Sequence, residues 1–474
     1  MREVSFPQPG TASARGMYAT SAWCLAWSRG GVIRMRADLL NSWGRYPAFG
    51  QVSHQVEWRD SLTHDYSLLI ERYGTLLPYG NGRSYGDSCL ASSDHVLQMR
   101  SLSRFIAVDW VHGVVRAEAG VTLGEILALA LPRGWFLSVT PGTRFVTLGG
   151  AIANDVHGKN HHVRGTFGRH VRCFRLLRSD RGGLVCSQAA EIDLFRATIG
   201  GLGLTGVIEW AELQLIPVKS AFMEASTVRF DCLADFFPLS AQLDKTHEYT
   251  VAWVDSLAVG AGTGRGVFMA ANHSDEGGLA ASQARDLPIP LTPPISAVSR
   301  LSARLFNSAY FWMHRGGHKR SRPGYQQFFY PLDRVRDWNR IYGPRGLQQF
   351  QCVVPDRNAE AATRELLRCI ATSSNASFLA VLKKCGSLVS PGLLSFPMAG
   401  TSLALDFAHC DSLNEATFPR LDAIVRAAGG RLYPAKDAHM SAEDFRNFYP
   451  DWAQVEALRD PALASRFWDR VTRT

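Results

Sequence analysis

The alternation of apolar and polar positions changes character near residue 218. From about 65 to 218, short apolar runs of period two alternate with stretches of helical period, the pattern of strands and helices in turn. Val96–Met99, Phe105–Val108 and Val114–Ala117 predict strands. Leu123–Ala130 carries apolar residues at helical spacing and is closed by Pro132 and Gly134, which predicts a helix. Glu191–Thr198 predicts a second helix. It runs into the glycine-rich bend Ile199–Ile208 and then the strand Trp210–Ile216, which Pro217 ends.

Beyond 218, strand-like runs such as Thr250–Val254 mix with irregular stretches. Pro288, Pro290, Pro293 and Pro294 make 284–298 a loop. The stretch 314–324, HRGGHKRSRPG, is basic and glycine-containing and is expected to be mobile. Asn358 is placed to cap a helix reaching about Thr372. Phe418–Ala428 has a helical stripe at Leu421, Ile424, Val425 and Ala428, and Gly429-Gly430 supplies its stop.

Composition narrows the class. With 474 residues, 46% hydrophobic and 20% charged, the chain is globular, which excludes collagen, coiled coil and disorder. The length suggests two or three domains, or two large lobes. The nine cysteines are scattered and form no CxxC, which argues against a zinc site or a disulfide scaffold and favours a reducing compartment. The net charge is +9. Residues 1–34 hold four Arg against one Glu, and Met35 restarts the chain as MRADLLNSWGRYP. Residues 1–36 are therefore expected to be a disordered extension or, over 1–34, an upstream mis-start. No helix-turn-helix, RNA-recognition or zinc-finger pattern occurs, which argues against nucleic acid. There is no apolar run of about 18 residues and no cleavable leader, so neither a transmembrane helix nor a signal peptide is expected. The expected location is cytoplasmic or peripheral to a membrane.

Two glycine loops carry the candidate chemistry. The first is PYGNGRSYGD, 78–87, whose glycines let backbone N–H groups turn toward an anion while Arg83 adds charge. A hairpin turn with a solvated Arg has the same composition, and no Gly-Lys-Ser/Thr of a P-loop is present. The second is PGTRFVTLGGAIANDVHGKNHH, 141–162. Gly149-Gly150 with Ala151 and Ala153 permits close approach of a flat or pyrophosphate ligand. His157, Lys159, His161 and His162 crowd polar donors together, although a polar loop with solvent-facing His reads the same way. No HExxH occurs, so no metal is expected.

These segments, with ATIGGLGLTGVI at 197–208, resemble the diphosphate-binding stretches of the vanillyl-alcohol-oxidase-type flavoproteins. Within them the chain is similar to the decaprenylphosphoryl-β-D-ribose 2′-oxidase family. The resemblance runs from about 37 to 470 and includes LQQFQCVVP at 347–355, SFLAVLK at 377–383, LSFP at 394–397 and GRLYPAKD at 430–437. It implies an α+β, two-lobed fold. An FAD domain would comprise 37–218 and 430–474, and an antiparallel-sheet substrate domain 219–429.

The same resemblance implies that Gly80, Asn81, Gly82, Arg83, Ser84 and Tyr85, with Gly149, Gly150, Ala151, Ala153 and Asn154, hold the flavin diphosphate. Gly142, Thr143, His157, Gly158, Asn160 and His161 would follow the ribityl chain and ring. Gly206 and Ile208 would meet adenine, and Tyr433 the isoalloxazine. Many relatives attach FAD through a His where this chain has Arg83, and no Cys lies between 140 and 172, so non-covalent FAD is expected.

Oxidising a secondary alcohol sends a hydride to flavin N5 and the hydroxyl proton to a base. Lys436 would stabilise the developing alkoxide, with Tyr85 and His157 positioning the sugar or relaying the proton. Lys159, Trp253, Gln349, Gln351, Lys383 and Lys436 would line the substrate pocket. Gln349 and Gln351 are two apart on a predicted strand and so share a face. Ala404 stands where many relatives have Cys. The implied reaction oxidises the 2′-hydroxyl of a polyprenylphosphoryl pentose to the 2-keto sugar, the first half of an epimerisation toward an arabinose donor for cell-wall polysaccharide. An NAD(P)H-dependent short-chain reductase would complete it. Arg315, Lys319, Arg320 and Arg322 could meet an anionic head group or a membrane surface, at about 1 kcal/mol per charge. The alternative is an FAD-dependent oxidase of a soluble alditol or aldonolactone.

Overall fold

The computed structural model describes residues 40–280 and 287–473, with the backbone of the short strands Trp23–Leu25 and Arg34–Arg36. The expected disordered extension over 1–36 otherwise lies outside the described residues, as does the start of the 284–298 loop.

Three large sheets and a two-stranded parallel one, Leu287–Pro288 with Val335–Arg336, organise the described residues. The first is mixed and five-stranded, in the order Trp23–Leu25, Arg34–Arg36, Val52–Gln55, His95–Gln98, Leu77–Tyr79, with its last two pairings parallel. The second is antiparallel and is built around the long strand Val207–Pro217, which pairs with Val171–Arg178, Val114–Glu118 and Trp135–Leu137. Leu123–Ala130 is helical, as its spacing predicts. Thr122 caps it by accepting from the Glu125 N–H while the Glu125 carboxylate accepts from the Thr122 N–H. Ile192–Thr198 is the second predicted helix.

The third sheet has eight strands in the order His318–Ser321, Met223–Phe230, Gly266–His273, Tyr249–Val254, Ala380–Cys385, Gly400–Ala408, Leu347–Pro355, Arg431–Leu432, all antiparallel. One face packs Phe350, Cys352, Val354, Leu403, Leu405 and Phe407 into a core with the helices Leu233–Leu243, Ala359–Thr372 and Phe418–Ala427. The alternation of side chains along a strand turns the intervening residues to the other face. That second face forms a wall of the cavity described below. Asn358 precedes its helix, but its side-chain amide donates to the Ala428 carbonyl instead of capping. The expectation of mobility at 314–324 is corrected over His318–Ser321. These residues form an edge strand against Ala225–Val228, because the sheet offers an unpaired ladder there. Among the described residues, no helix is long and apolar enough to cross a membrane, and no cluster of three His, Cys, Asp or Glu could hold a metal ion.

Candidate active site

The strand Leu77–Tyr79 delivers the first glycine loop to a cavity of about 1170 Å³. Gly82 has φ +57, and a Cβ there would sit 2.0 Å from the Tyr79 hydroxyl oxygen, so only glycine fits this turn. The N–H groups of Asn81 to Ser84 find no acceptor among the described residues, whereas that of Tyr85 donates to the Ala435 carbonyl at 3.0 Å. The Arg83 guanidinium lies 4.2 Å from the Trp43 ring centroid and 5.2 Å from that of Phe145. Its Nε is buried without an acceptor. A row of open N–H groups beside a buried, underused cation is a site for an anion.

The second stretch behaves differently. Gly142, Thr143, Gly150, Asn154, His157, Gly158 and Lys159 line the cavity. Gly149, Ala151 and Ala153, expected beside the diphosphate, lie outside this lining. The Gly149 N–H donates to Ala119, and those of Gly150 and Ala151 to Thr147, so their donors are already committed. These small residues serve close packing; a Cβ on Gly149 would lie 3.0 Å from that of Ala119. Asn160 and His161 also lie outside the cavity lining. The Asn160 amide donates to Ser138 and Glu248, and the His161 Nδ1 accepts from the Gly386 N–H. Gly206, just before the strand Val207–Pro217, and Ile208 within it are buried and do not line the cavity either.

The opposite wall is the free face of the eight-stranded sheet. Gln349 and Gln351 share that face, and their register partners are Asp406 and Ala404. Lys383 pairs with Ser402 in the next ladder, and Trp253 with Val381 in the one beyond. The Trp253 indole donates to the Phe378 carbonyl at 2.9 Å, which fixes its ring against the cavity.

Polar groups converge at the centre. The Lys383 ammonium donates to His157 Nδ1 at 2.5 Å and to the Gly158 carbonyl at 2.7 Å. Burial, then Lys383, push the His157 pKa well down, so its imidazole is neutral. With Nδ1 accepting, the single proton rides Nε2, and the Gln351 amide 3.3 Å away accepts it by turning its oxygen inward. Lys436 follows the strand Arg431–Leu432, and its ammonium sits 3.7 Å from the Tyr85 ring centroid. Burial lowers the Lys436 pKa and Asp406 partly restores it. Burial raises the Tyr85 pKa well above 10, with Asp406 adding to it, so the phenol stays protonated. Lys159 donates to the Phe329 carbonyl at 3.0 Å, and burial with the charge of Lys383 brings its pKa to about 8. Tyr433 donates to the Asn154 carbonyl and stacks on Phe396.

A family described as an FAD binding domain matches residues 69–186. The decaprenylphosphoryl-β-D-ribose oxidase of Mycolicibacterium smegmatis is 35% identical over 81% of this chain and 85% of its own length. This chain belongs to the decaprenylphosphoryl-β-D-ribose oxidase family. It is an FAD-dependent oxidoreductase. A protein of Streptomyces coelicolor is 36% identical over 72% of this chain and 96% of its own length. The human Δ24-sterol reductase is 31% identical over 26% of this chain and 23% of its own length.

The residues present fit the cofactor of this oxidase family: a glycine-only turn, open N–H groups and Arg83 beside them suit a diphosphate. Asp406 is the site residue that reasoning from sequence missed. It is fully buried, accepts from the Gln349 amide and leaves its second oxygen without a partner. Its signal was available, since Ala404 and Asp406 are two apart on one strand and so share a face. Asp333 is a second such residue. It lines the cavity, accepts from the Arg144 N–H and lies in the field of Arg83.

Proposed function

We propose that this chain oxidises the 2′-hydroxyl of a polyprenylphosphoryl pentose to the 2-keto sugar, as the first half of an epimerisation. The observation that carries the reading is one cavity joining a diphosphate-type cradle at 80–85 to a polar centre of Lys436, Gln349, Gln351 and Lys383, and to an apolar arm lined by Val251, Trp253, Met269, Phe306 and Phe328. An arm of that composition suits an isoprenoid tail, whereas a soluble polyol has no use for it.

Bound FAD would supply the hydride acceptor, held without a covalent link because Arg83 stands where a His would attach it. Gln349 and Gln351 orient the sugar hydroxyls through their amides. Burial and Lys383 keep His157 neutral, with its proton on Nε2 toward Gln351. Lys159 offers an ammonium to the phosphate. Lys436, brought toward neutrality by burial, takes the hydroxyl proton, and the Asp406 carboxylate stabilises the ammonium that forms. The keto product then needs a separate NAD(P)H-dependent reductase, a partner consistent with the family relationship. The product of the pair would serve as an arabinose donor for cell-wall polysaccharide, and the protein would work in the cytoplasm or at a membrane surface.

Anaerobic addition of farnesylphosphoryl-β-D-ribose to the purified yellow protein should bleach the oxidised-flavin band. A flavin that stays oxidised with it but is reduced by an alditol or aldonolactone overturns the substrate assignment. Acid precipitation should leave the flavin in the supernatant; flavin retained on the pellet overturns the non-covalent assignment.

A further inference from the structure

From Leu287 to Leu332 the chain has no Asp or Glu, while Arg300, Arg304, Arg315, Lys319, Arg320 and Arg322 fall within it. In the fold this stretch builds the outer wall of the cavity mouth. Phe306 and Tyr310 on the helix Arg300–Met313, Ser321 on the edge strand, and Gln327 and Phe328 beyond it all line the cavity. The helix buries Ala303, Asn307 and Phe311. Its outer face is apolar yet open: Leu301 is 69% exposed, Leu305 64%, Trp312 54% and Met313 72%. Of the seventeen large apolar side chains exposed among the described residues, eight lie between 287 and 313. Large apolar side chains gathered in one short stretch, beside a cavity mouth, mark an interaction surface; scattered single ones do not.

Charge indicates what the surface meets. His318–Ser321 is exposed along its length and carries Lys319 and Arg320. Arg304 and Arg315 are exposed on and just after the helix, while Arg322 is engaged by Glu276 and Glu224. A second copy of this chain would bring the same basic face and a net +9 against it, which disfavours self-association. A second cavity of about 500 Å³, lined by Met313, Lys319 and Arg322, shares Thr227, Ser321, Pro323 and Gln327 with the first. The route from Lys436 to the surface therefore opens at this face.

We propose that the outer face of the helix Arg300–Met313, with the strand His318–Ser321 beside it, docks on an anionic lipid bilayer and holds the cavity mouth at the membrane surface. An apolar helix face flanked by Lys and Arg, on a stretch of chain that itself carries no acid and whose neighbouring Glu224 and Glu276 are paired with Arg322, is the combination by which interfacial helices bind lipid. The inference rests on the lipid-linked reading of the substrate for its purpose, while its evidence is this surface.

The test is flotation of the full-length, FAD-loaded protein with vesicles of phosphatidylcholine alone or mixed with phosphatidylglycerol, without substrate. The protein should float with the phosphatidylglycerol vesicles and release as salt rises. L305E/W312E should cut the bound fraction by at least about tenfold, and K319E/R320E should remove the preference for phosphatidylglycerol. L305E/W312E, whose side chains line neither cavity, should retain FAD and the wild-type rate of flavin reduction by farnesylphosphoryl-β-D-ribose. Wild type that floats with neither vesicle, or L305E/W312E that floats like wild type, overturns the proposal. So does a wild-type dimer that binds no vesicles and becomes monomeric in L305E/W312E, which would make the face a self-interface. Flotation without bleaching by the lipid sugar upholds the docking face and overturns only the substrate assignment.

Discussion

At Lys436, burial and charge pull in opposite directions. Burial drives the ammonium toward neutrality, and Asp406 favours the charged form. Tyr85 beneath it stays protonated, and His157 across the cavity stays neutral. Lys383 is occupied by two hydrogen bonds, which leaves Lys436 as the group free to gain a proton. Lys436→Met should therefore lower substrate-driven flavin reduction by about 10²–10⁴-fold while FAD remains bound, as read by stopped-flow absorbance. Asp406→Asn removes the charge that raises the Lys436 pKa. The rising limb of the pH–rate profile should then move to lower pH, because the amine loses its proton earlier. An unmoved limb, with flavin retained, would show that Asp406 does not act on Lys436.

At the scale of elements, the two glycine loops look alike in sequence and differ in use. The first leaves its N–H groups open, and the second spends those of 149–151 on Ala119 and Thr147. Gly82→Ala should lower FAD occupancy of the purified protein, since φ is +57 and the new Cβ would meet the Tyr79 hydroxyl at 2.0 Å. Thr122→Ala acts on the helix Leu123–Ala130 instead. Losing that cap should cost about 1 kcal/mol in urea unfolding without changing FAD content, because neither Thr122 nor the helix lines the cavity.

Across the whole molecule, the C-terminal helix Arg466–Thr472 holds the first glycine loop in place. The Arg470 guanidinium donates to both oxygens of Asp87, at the end of that loop, and to Asp437, next to Lys436. Asp87 and Asp437 are buried, so removing their shared cation leaves Asp87 without a charge partner and Asp437 with His439 alone. Arg470→Met should cost about 3–5 kcal/mol and weaken FAD binding. Both follow from urea unfolding and flavin titration of the same variant. A stability loss with unchanged FAD affinity would separate the clamp from the cofactor site.

What the sequence determined by itself is local or patterned. The helix Leu123–Ala130, three strands of the second sheet (those at 105–109, 114–118 and 207–217) and the shared face of Gln349 and Gln351 depend on spacings of two to four residues. Three glycines in PYGNGRSYGD, with Arg83 among them, mark a turn that favours an anion. The motifs, taken in order, carried the family. The tertiary structure alone decided what those groups do. Whether an N–H stays open depends on a distant acceptor, as Ala119 is for Gly149. The neutrality of His157 depends on its burial and on Lys383, 226 positions away, and the Gln349 amide is held by Asp406, 57 positions away. The outward apolar face of Arg300–Met313 shows only after the fold has chosen Ala303, Asn307 and Phe311 to bury. Spacing assigns a side chain to a face, but only packing assigns that face to core, cavity or surface.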